Sequence, residues 1–291
     1  MQHLGVLKES ERRRLVALAP AGVKRLSAQL RVSVQRGAGR AAGYSDEAYA
    51  QAGATLVEHR EEILRGCDLV LGHDSHYRGE DIGGPKTFIG FLNVLNERDV
   101  VDPYRRPGIT LHSLDLIPRT TLAQAMDVLS SVASISGYQA VLLAAERSLA
   151  TVPMITSAGG TLRPARFLIM GAGVAGLQAI ATARRLGAIV RAYDVRSASR
   201  TEVESLGATF IEVEGAVEDR KAGGYAVEQT PEHLERIRQV IHAEASQADV
   251  IITTAKIPGR KAPLLITEDM VRGMKPGAVV VDLAAATGGN C

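Results

Sequence analysis

The stretch "RFLIMGAGVAGLQAIATARRLGAIVRAYD" holds the residues best spaced for chemistry. Gly171, Gly173 and Gly176 follow an apolar run and open a helical pattern, and Asp194 closes a second apolar run. Glycines at that spacing allow a sharp turn, a close approach of backbone to an anion, and tight packing of helix on strand. The pyrophosphate of a dinucleotide would then rest on the positive end of a helix, formed here by the backbone of Val174 and Ala175. Asp194 is placed to accept hydrogen bonds from the adenosine ribose hydroxyls and to repel a 2′-phosphate, which favours NAD(H) over NADP(H). Val195 continues that edge. Arg196 is the opposing signal, because a nearby arginine can hold a 2′-phosphate. The bland alternative is a tight strand–helix turn with no ligand.

The elements that must position this turn form two βαβ series, each implying a parallel sheet. In the first, short apolar runs at 3–7, 31–35, 54–58, 68–72, 87–91 and 109–114 alternate with helical stretches near 21–30 and 46–52. In the second, strands are expected at 166–170, 188–193, 208–213, 248–254 and 277–283, with helices near 174–186, 198–206, 232–246 and 267–273. Between the series, 121–149 reads as a long helix with Gly137 marking a break, and the Pro- and Gly-rich "PMITSAGGTLRPA" reads as a linker. The expected division is a Rossmann-like domain at 1–134, a connecting helix and linker at 135–164, and a dinucleotide-binding domain at 165–291. The fold class is therefore α/β with parallel sheets.

Bulk properties exclude several function classes. Thirty-four basic against 32 acidic side chains leave a formal charge of +2, which gives no electrostatic case for nucleic acid as a partner. Only two cysteines, Cys67 and Cys291, are present, so no disulfide framework or cysteine metal site is expected, and the compartment reads as reducing. His73, His76 and His112 have no acidic or cysteine partner at ligand spacing, so no metal is expected. No apolar stretch is expected to approach the roughly 18 residues that cross a bilayer. Lys8 and Glu9 argue against a signal peptide.

The chain resembles the alanine dehydrogenase and pyridine-nucleotide transhydrogenase family. The likeness rests on "KES…VALAPAGVKRL", "GAGVAGLQAIATARRLGA", "VESLGA", "GGYA", "ITTAKIPGRKAP" and "VVVDLAA.TGGNC", and it covers nearly the whole chain. It implies two Rossmann-like domains with a cofactor cleft between them, and a homodimer. An amino-acid dehydrogenase of this family needs a Lys and a His for proton transfer. Here "GHDSH" (72–76) lacks the Lys, and Asn93 stands where the His belongs. Hydride transfer between two nicotinamides moves no proton on the substrate, so the missing pair favours the transhydrogenase branch.

"PRTTLAQAMD" matches that branch with Arg119, Gln124 and Asp127. The resemblance implies that Arg119 and Asp127 orient the nicotinamide end of NAD(H), and that Gln124 reaches the ribose of a facing NADP(H). Gln124 and Asp127 are expected on one helical face, although Thr121 and Gln124 also fit a helix-capping box. Tyr225 of "GGYA" is expected to fold over bound nucleotide. Thr254, Ala255, Pro258 and Gly259 are expected to present backbone to the adenosine or ribose, and Asp282 and Leu283 to lie near the nicotinamide. The implied cofactors are NAD(H) on this chain and NADP(H) on a partner. The implied partners are a second copy, an NADP-binding subunit and a membrane-embedded subunit that moves protons. The implied location is the cytoplasmic face of the inner membrane.

Three departures qualify the resemblance. Leu15 stands where relatives carry Arg, Ala286 stands where they carry an acid, and the sequence stops at Cys291, where relatives go on to complete the first domain. They keep two alternatives open: a soluble alanine-type dehydrogenase, and a truncated, non-catalytic NAD-binding protein.

Overall fold

A computed structural model describes residues 2–10, 14–72, 84–118, 120–213, 230–257 and 259–291. It divides into two compact units, Met1–Leu129 and Ser130–Cys291. Among the described residues, unit 1 carries strands β1 (His3–Val6), β2 (Arg31–Gln35), β3 (Thr55–Val57), β4 (Leu69–Leu71), β5 (Lys86–Gly90) and β6 (Ile109–Ser113). They form one sheet in the order β3-β2-β1-β4-β5-β6, and every pairing is parallel. Helices α1 (Pro20–Leu26), α2 (Asp46–Gln51) and α3 (Arg60–Gly66) are the crossovers. Strand alternation sends Leu4 and Val6 to a core with Val23, Val32, Val34 and Tyr49. Leu7 goes to the opposite core with Ile63, Leu64, Val70 and Phe88. Gly5 lets α3 lie directly on the sheet, since a Cβ there would stand 2.2 Å from Ile63 Cγ2.

Helix α4 (Val128–Arg147) starts two residues before the boundary and otherwise belongs to unit 2, followed by the short strands β7 (Ile155–Ser157) and β8 (Gly160–Leu162). Unit 2 then repeats the parallel plan with β9 (Arg166–Met170), β10 (Ile189–Tyr193), β11 (Thr209–Phe210), β12 (Val250–Thr253) and β13 (Val279–Asp282). These last five strands run parallel in the order β11-β10-β9-β12-β13. Phe167, Ile169, Val250 and Ile252 face one core, which holds buried residues of α4, α5 (Val174–Arg185) and α6 (Ser199–Ser205). Leu168, Met170 and Ile251 face the other, with α7 (Pro231–Gln247) and α8 (Glu268–Arg272). A sheet covered on both faces requires strands apolar on both sides, and β12 is accordingly buried throughout. Fully burying one such aliphatic side chain stabilises the fold by about 1.5–3 kcal/mol.

Three expectations are corrected. The stretch 121–149 is not one helix: a 3₁₀ turn, Ala123–Met126, precedes α4, and Asp127 between them has non-helical backbone. Gly137 does not break α4. It is buried with Ala140, Val141 and Ala144 along one stripe, and a Cβ on Gly137 would stand 2.1 Å from the carbonyl oxygen of Ala175 in α5. The glycine is there for close helix contact. The expected linker instead holds a solvent-exposed antiparallel hairpin, β7 with β8, so 135–164 belongs to the body of unit 2.

Helix α4 is also long and apolar enough, by length and composition, to cross a bilayer, contrary to the expectation from the sequence. Its buried stripe at positions 137, 140, 141 and 144 is nonetheless that of a helix packed on a protein core.

Replacing Gly137 by Ala is expected to force α4 off α5, costing about 1–3 kcal/mol as an overpacking defect. A drop in the calorimetric melting temperature checks this; an unchanged melting temperature would show that the contact is easily relieved.

Candidate functional site

Register sets the site in unit 2. Met170 pairs with Tyr193 and with Thr253, and Thr253 pairs with Asp282. Gly171, Asp194, Thr254 and Leu283 are therefore the first residues beyond four adjacent strand ends. They stand at the carboxyl edge where the strand order reverses between β9 and β12, the place where open α/β sheets bind ligands.

The glycine turn has the form its sequence predicts. Gly171 adopts φ +102°, which disfavours any side chain. A Cβ on Gly176 would stand 1.8 Å from the carbonyl oxygen of Gly171, so only glycine lets α5 begin so close to β9. Gly173 is the N-cap of α5, and no side chain caps it. A Cβ there would meet nothing within 4 Å, so the ground above the helix terminus is open. Val174 and Ala175 form the first turn of α5. Backbone N–H groups at an uncapped helix start, with no acidic residue in the first turn, fit a pyrophosphate. On its inner side the turn is tied by the Thr254 hydroxyl, which donates to the carbonyls of Met170 at 3.3 Å and Gly171 at 3.2 Å.

Asp194 is fully engaged by its own chain. Its Oδ2 accepts from the Ala172 N–H at 2.7 Å and from Arg196 Nη2 at 3.0 Å. Its Oδ1 accepts from the Arg196 N–H and from Arg196 Nε, both at 2.9 Å. Bonding to Asp194 pushes the Arg196 guanidinium further above its already high pKa. Val195, between them, packs against the α7 face core.

The far wall is built on a second saturated carboxylate. Asp282 Oδ1 accepts from the Thr253 hydroxyl at 3.0 Å and the Ala284 N–H at 2.8 Å. Its Oδ2 accepts from the N–H groups of Asn290 at 2.7 Å and Cys291 at 3.1 Å. Asn290, which sequence reasoning misses, is fully buried. Its amide accepts from Ala255 N–H and donates to the carbonyls of Ala255 and Pro263, and its own carbonyl accepts from Leu265 and Ile266. One asparagine thus ties the loop after β12 to the loop after β13; the sequence signal for it is the "GGNC" run itself. Leu283 continues β13 through a bond to Thr253, and Gly259 has φ +69° in a turn on the other loop. On that loop, desolvation lowers the pKa of Lys256, with nearby Asp282 opposing.

In unit 1, Gln124 is exposed and belongs to the 3₁₀ turn, while Asp127 closes that turn with its N–H on the Gln124 carbonyl at 3.2 Å. They are neighbours in one tight turn and do not share an α-helical face. The hydroxyl receiving the Ala123 N–H is that of Thr120, not Thr121. Leu122 and Met126, at 91% and 58% exposure, flank Gln124 with apolar surface. Asn93 has φ 56° and uses its side chain on Glu97 and Asn96. The backbone N–H groups of Leu92, Asn93 and Val94 all donate to Asp115, which pins this loop. Lys86 is the buried lysine among the described residues of unit 1, at the amino end of β5. It caps α3 by donating to the carbonyls of Arg65 and Cys67, and burial lowers its pKa. Arg14 faces solvent and Leu15 is half-buried; Ala286 is exposed in a 3₁₀ turn. Arg119, Tyr225, Pro258, His73 and His76 lie outside the described residues, and among the described residues no group of three or more His, Cys, Asp or Glu could hold a metal ion.

Two family models match along the chain. Residues 5–136 match the alanine dehydrogenase/PNT N-terminal domain, and residues 140–291 match the C-terminal domain of the same family. The chain belongs to the alanine dehydrogenase/PNT family. It is similar to the first part of the NAD(P) transhydrogenase subunit alpha of Rhodospirillum rubrum, 42% identical over 286 residues, 95% of this chain and 74% of that one. The NAD(P) transhydrogenase subunit alpha of Haemophilus influenzae is 39% identical over 98% of this chain, which spans 56% of that protein. The crystal structure of a transhydrogenase from Sinorhizobium meliloti superposes with a TM-score of 0.86 at 37% identity, covering 99% of this chain and 80% of that one. In this alanine dehydrogenase/PNT member both units are Rossmann-like with parallel sheets.

Exchanging Asp282 for Asn would turn an amide N–H₂ toward donors the carboxylate now satisfies. The expected loss is about 2 kcal/mol, seen as a lower urea midpoint with an unchanged slope. A midpoint equal to wild type would show that the terminal loop does not depend on that charge.

Proposed function

We propose that this chain is the NAD(H)-binding component of a proton-translocating NAD(P) transhydrogenase. The observation that carries the reading is the open, uncapped start of α5 at Gly173, set beside Asp194 at the strand switch point. Bound NAD(H) would supply or take up the hydride. The chain's own work is then to bind and to orient. The backbone of Gly171, Gly173, Val174, Ala175 and Gly176 would receive the pyrophosphate, and Asp194 the adenosine ribose. Thr254, Ala255, Pro258, Gly259, Asp282 and Leu283 would line the remaining wall, with Tyr225 covering the nucleotide. The family resemblance further implies a role at the nicotinamide end for Arg119 and Asp127, and one at the NADP(H) of another subunit for Gln124.

Two features of unit 1 support transhydrogenation over amino-acid oxidation. Asn93 occupies the place of a proton-shuttling His and spends its side chain on local bonds. Lys86, the buried lysine, caps a helix at the amino end of the sheet, away from its carboxyl edge. The exposed Leu122 and Met126 beside Gln124 give an NADP-binding subunit apolar surface to dock on. The hairpin β7–β8, which exposes Ile155 and Leu162 beside the exposed Met154, offers surface for a second copy of the chain. Proton movement would belong to a membrane-embedded subunit, with this chain on the cytoplasmic face of the inner membrane.

The test combines the chain, NADH, an NADP-binding partner domain and an acetylpyridine analogue of NADP. Hydride transfer that needs every component is expected. Gln124→Asn should slow transfer about tenfold or more while NADH affinity stays within about twofold. NADH binding without any transfer would leave a non-catalytic NAD-binding protein, and no binding would end the dinucleotide reading.

A further inference from the structure

An ionised carboxylate offers about four acceptor positions. Four N–H donors of this chain occupy Asp194: those of Ala172 N, Arg196 N, Arg196 Nε and Arg196 Nη2. The first two are backbone groups that hold the glycine turn to the end of β10. The last two belong to one guanidinium on a flexible stem. A ribose diol brings two O–H donors, the same number that this guanidinium supplies. The diol and the guanidinium therefore compete for the same two positions on Asp194. The guanidinium also reaches back to the carbonyl of Ala172 at 3.4 Å, so it lies across the edge of the glycine turn. Asp194 is nearly buried, with its side chain 8% exposed, while that of Arg196 is 32% exposed. The approach to the carboxylate from solvent is thus taken up by a side chain that has somewhere to go.

We propose that Arg196 is an internal surrogate for the adenosine ribose: its guanidinium holds the ribose-binding oxygens of Asp194 until a dinucleotide diol displaces it. This rests on the reading of unit 2 as the NAD(H) site. Three consequences follow from the competition. The two outer acceptor positions of the nearly buried carboxylate are never left empty between turnovers, which spares the fold the cost of leaving that charge half-satisfied. The observed affinity for NADH is the intrinsic affinity reduced by the fraction of molecules in which Arg196 has swung away, so cofactor exchange is eased. The backbone donors of Ala172 and Arg196 stay on Asp194 throughout, so the turn keeps its shape in both states.

The test measures NADH affinity by calorimetry for wild type, Arg196→Met and Arg196→Lys, with melting curves to confirm that each variant folds. Methionine keeps most of the length of the stem and removes both competing donors. Arg196→Met should bind NADH about three- to tenfold more tightly than wild type. Arg196→Lys, which can donate from only one atom, should fall between them. In parallel, the Arg196 Nε–H resonance of wild type should be protected from solvent exchange without nucleotide and lose that protection when NADH is added. Equal or weaker NADH binding by Arg196→Met, or an Nε–H that stays protected at saturating NADH, would overturn the surrogate role while the dinucleotide site stands. Failure of all three proteins to bind NADH would bring down the site reading and the surrogate role together.

Discussion

The carbonyl oxygen of Gly171 leaves no room for a side chain at Gly176, and the functional end of unit 2 is arranged around that approach. Because α5 starts against the backbone of β9, its first N–H groups point out of the sheet's carboxyl edge. The same closeness brings Ala172 within reach of Asp194 and Gly171 within reach of the Thr254 hydroxyl. From the other side, α4 touches α5 at Gly137 and Ala175, again by backbone contact. Three glycines thus stack a helix, a second helix and a strand with almost no side-chain cushion. Packing of that kind has discrete solutions, which makes the turn rigid before any nucleotide arrives.

Two aspartates at strand ends are both saturated, yet they behave differently because their donors differ. Asp282 is held by three backbone N–H groups and a buried threonine hydroxyl. The three N–H groups are fixed in the backbone of the loop after β13, so Asp282 shapes the wall. Half of the bonds to Asp194 come from the side chain of Arg196, the donor proposed to give way to a ribose diol. A role in ligand binding is decided here less by the acid than by how firmly its present donors are anchored.

Both sheets are readable in the sequence because each strand carries the apolar residues a parallel sheet buries, unbroken over 167–170 in β9 and alternating in "RVSVQ" of β2, and both strands fall where the pattern places them. The glycine turn is readable because φ +102° at Gly171 and the contact at Gly176 admit only glycine. Gly137 misleads, because a helix-interior glycine has the same letter whether it breaks a helix or lets another helix approach. The hairpin at 155–162 misleads because its residues are exposed and lack the apolar alternation that marks strands. Gln124 and Asp127 stand out as residues, but their 3₁₀ setting depends on a turn that periodicity cannot see. What Asn290 and Asp115 hold does not show in the sequence, because their partners, such as Pro263 and Leu92, are remote along the chain, and the "GGNC" run marks only the position of Asn290.

The hydrogen bonds around the buried Asn290 also bear on how the site ages. Its side-chain nitrogen donates to two carbonyls, Ala255 at 2.9 Å and Pro263 at 2.8 Å. Slow deamidation of that side chain to a carboxylate would replace two attractions by two oxygen–oxygen repulsions at a fully buried position. Deamidation begins with attack of the next backbone nitrogen, that of Cys291, on the side-chain amide carbon, and that N–H is held by Asp282 Oδ2 at 3.1 Å. The hydrogen bonds that shape the wall therefore also slow the ageing of the asparagine at its centre.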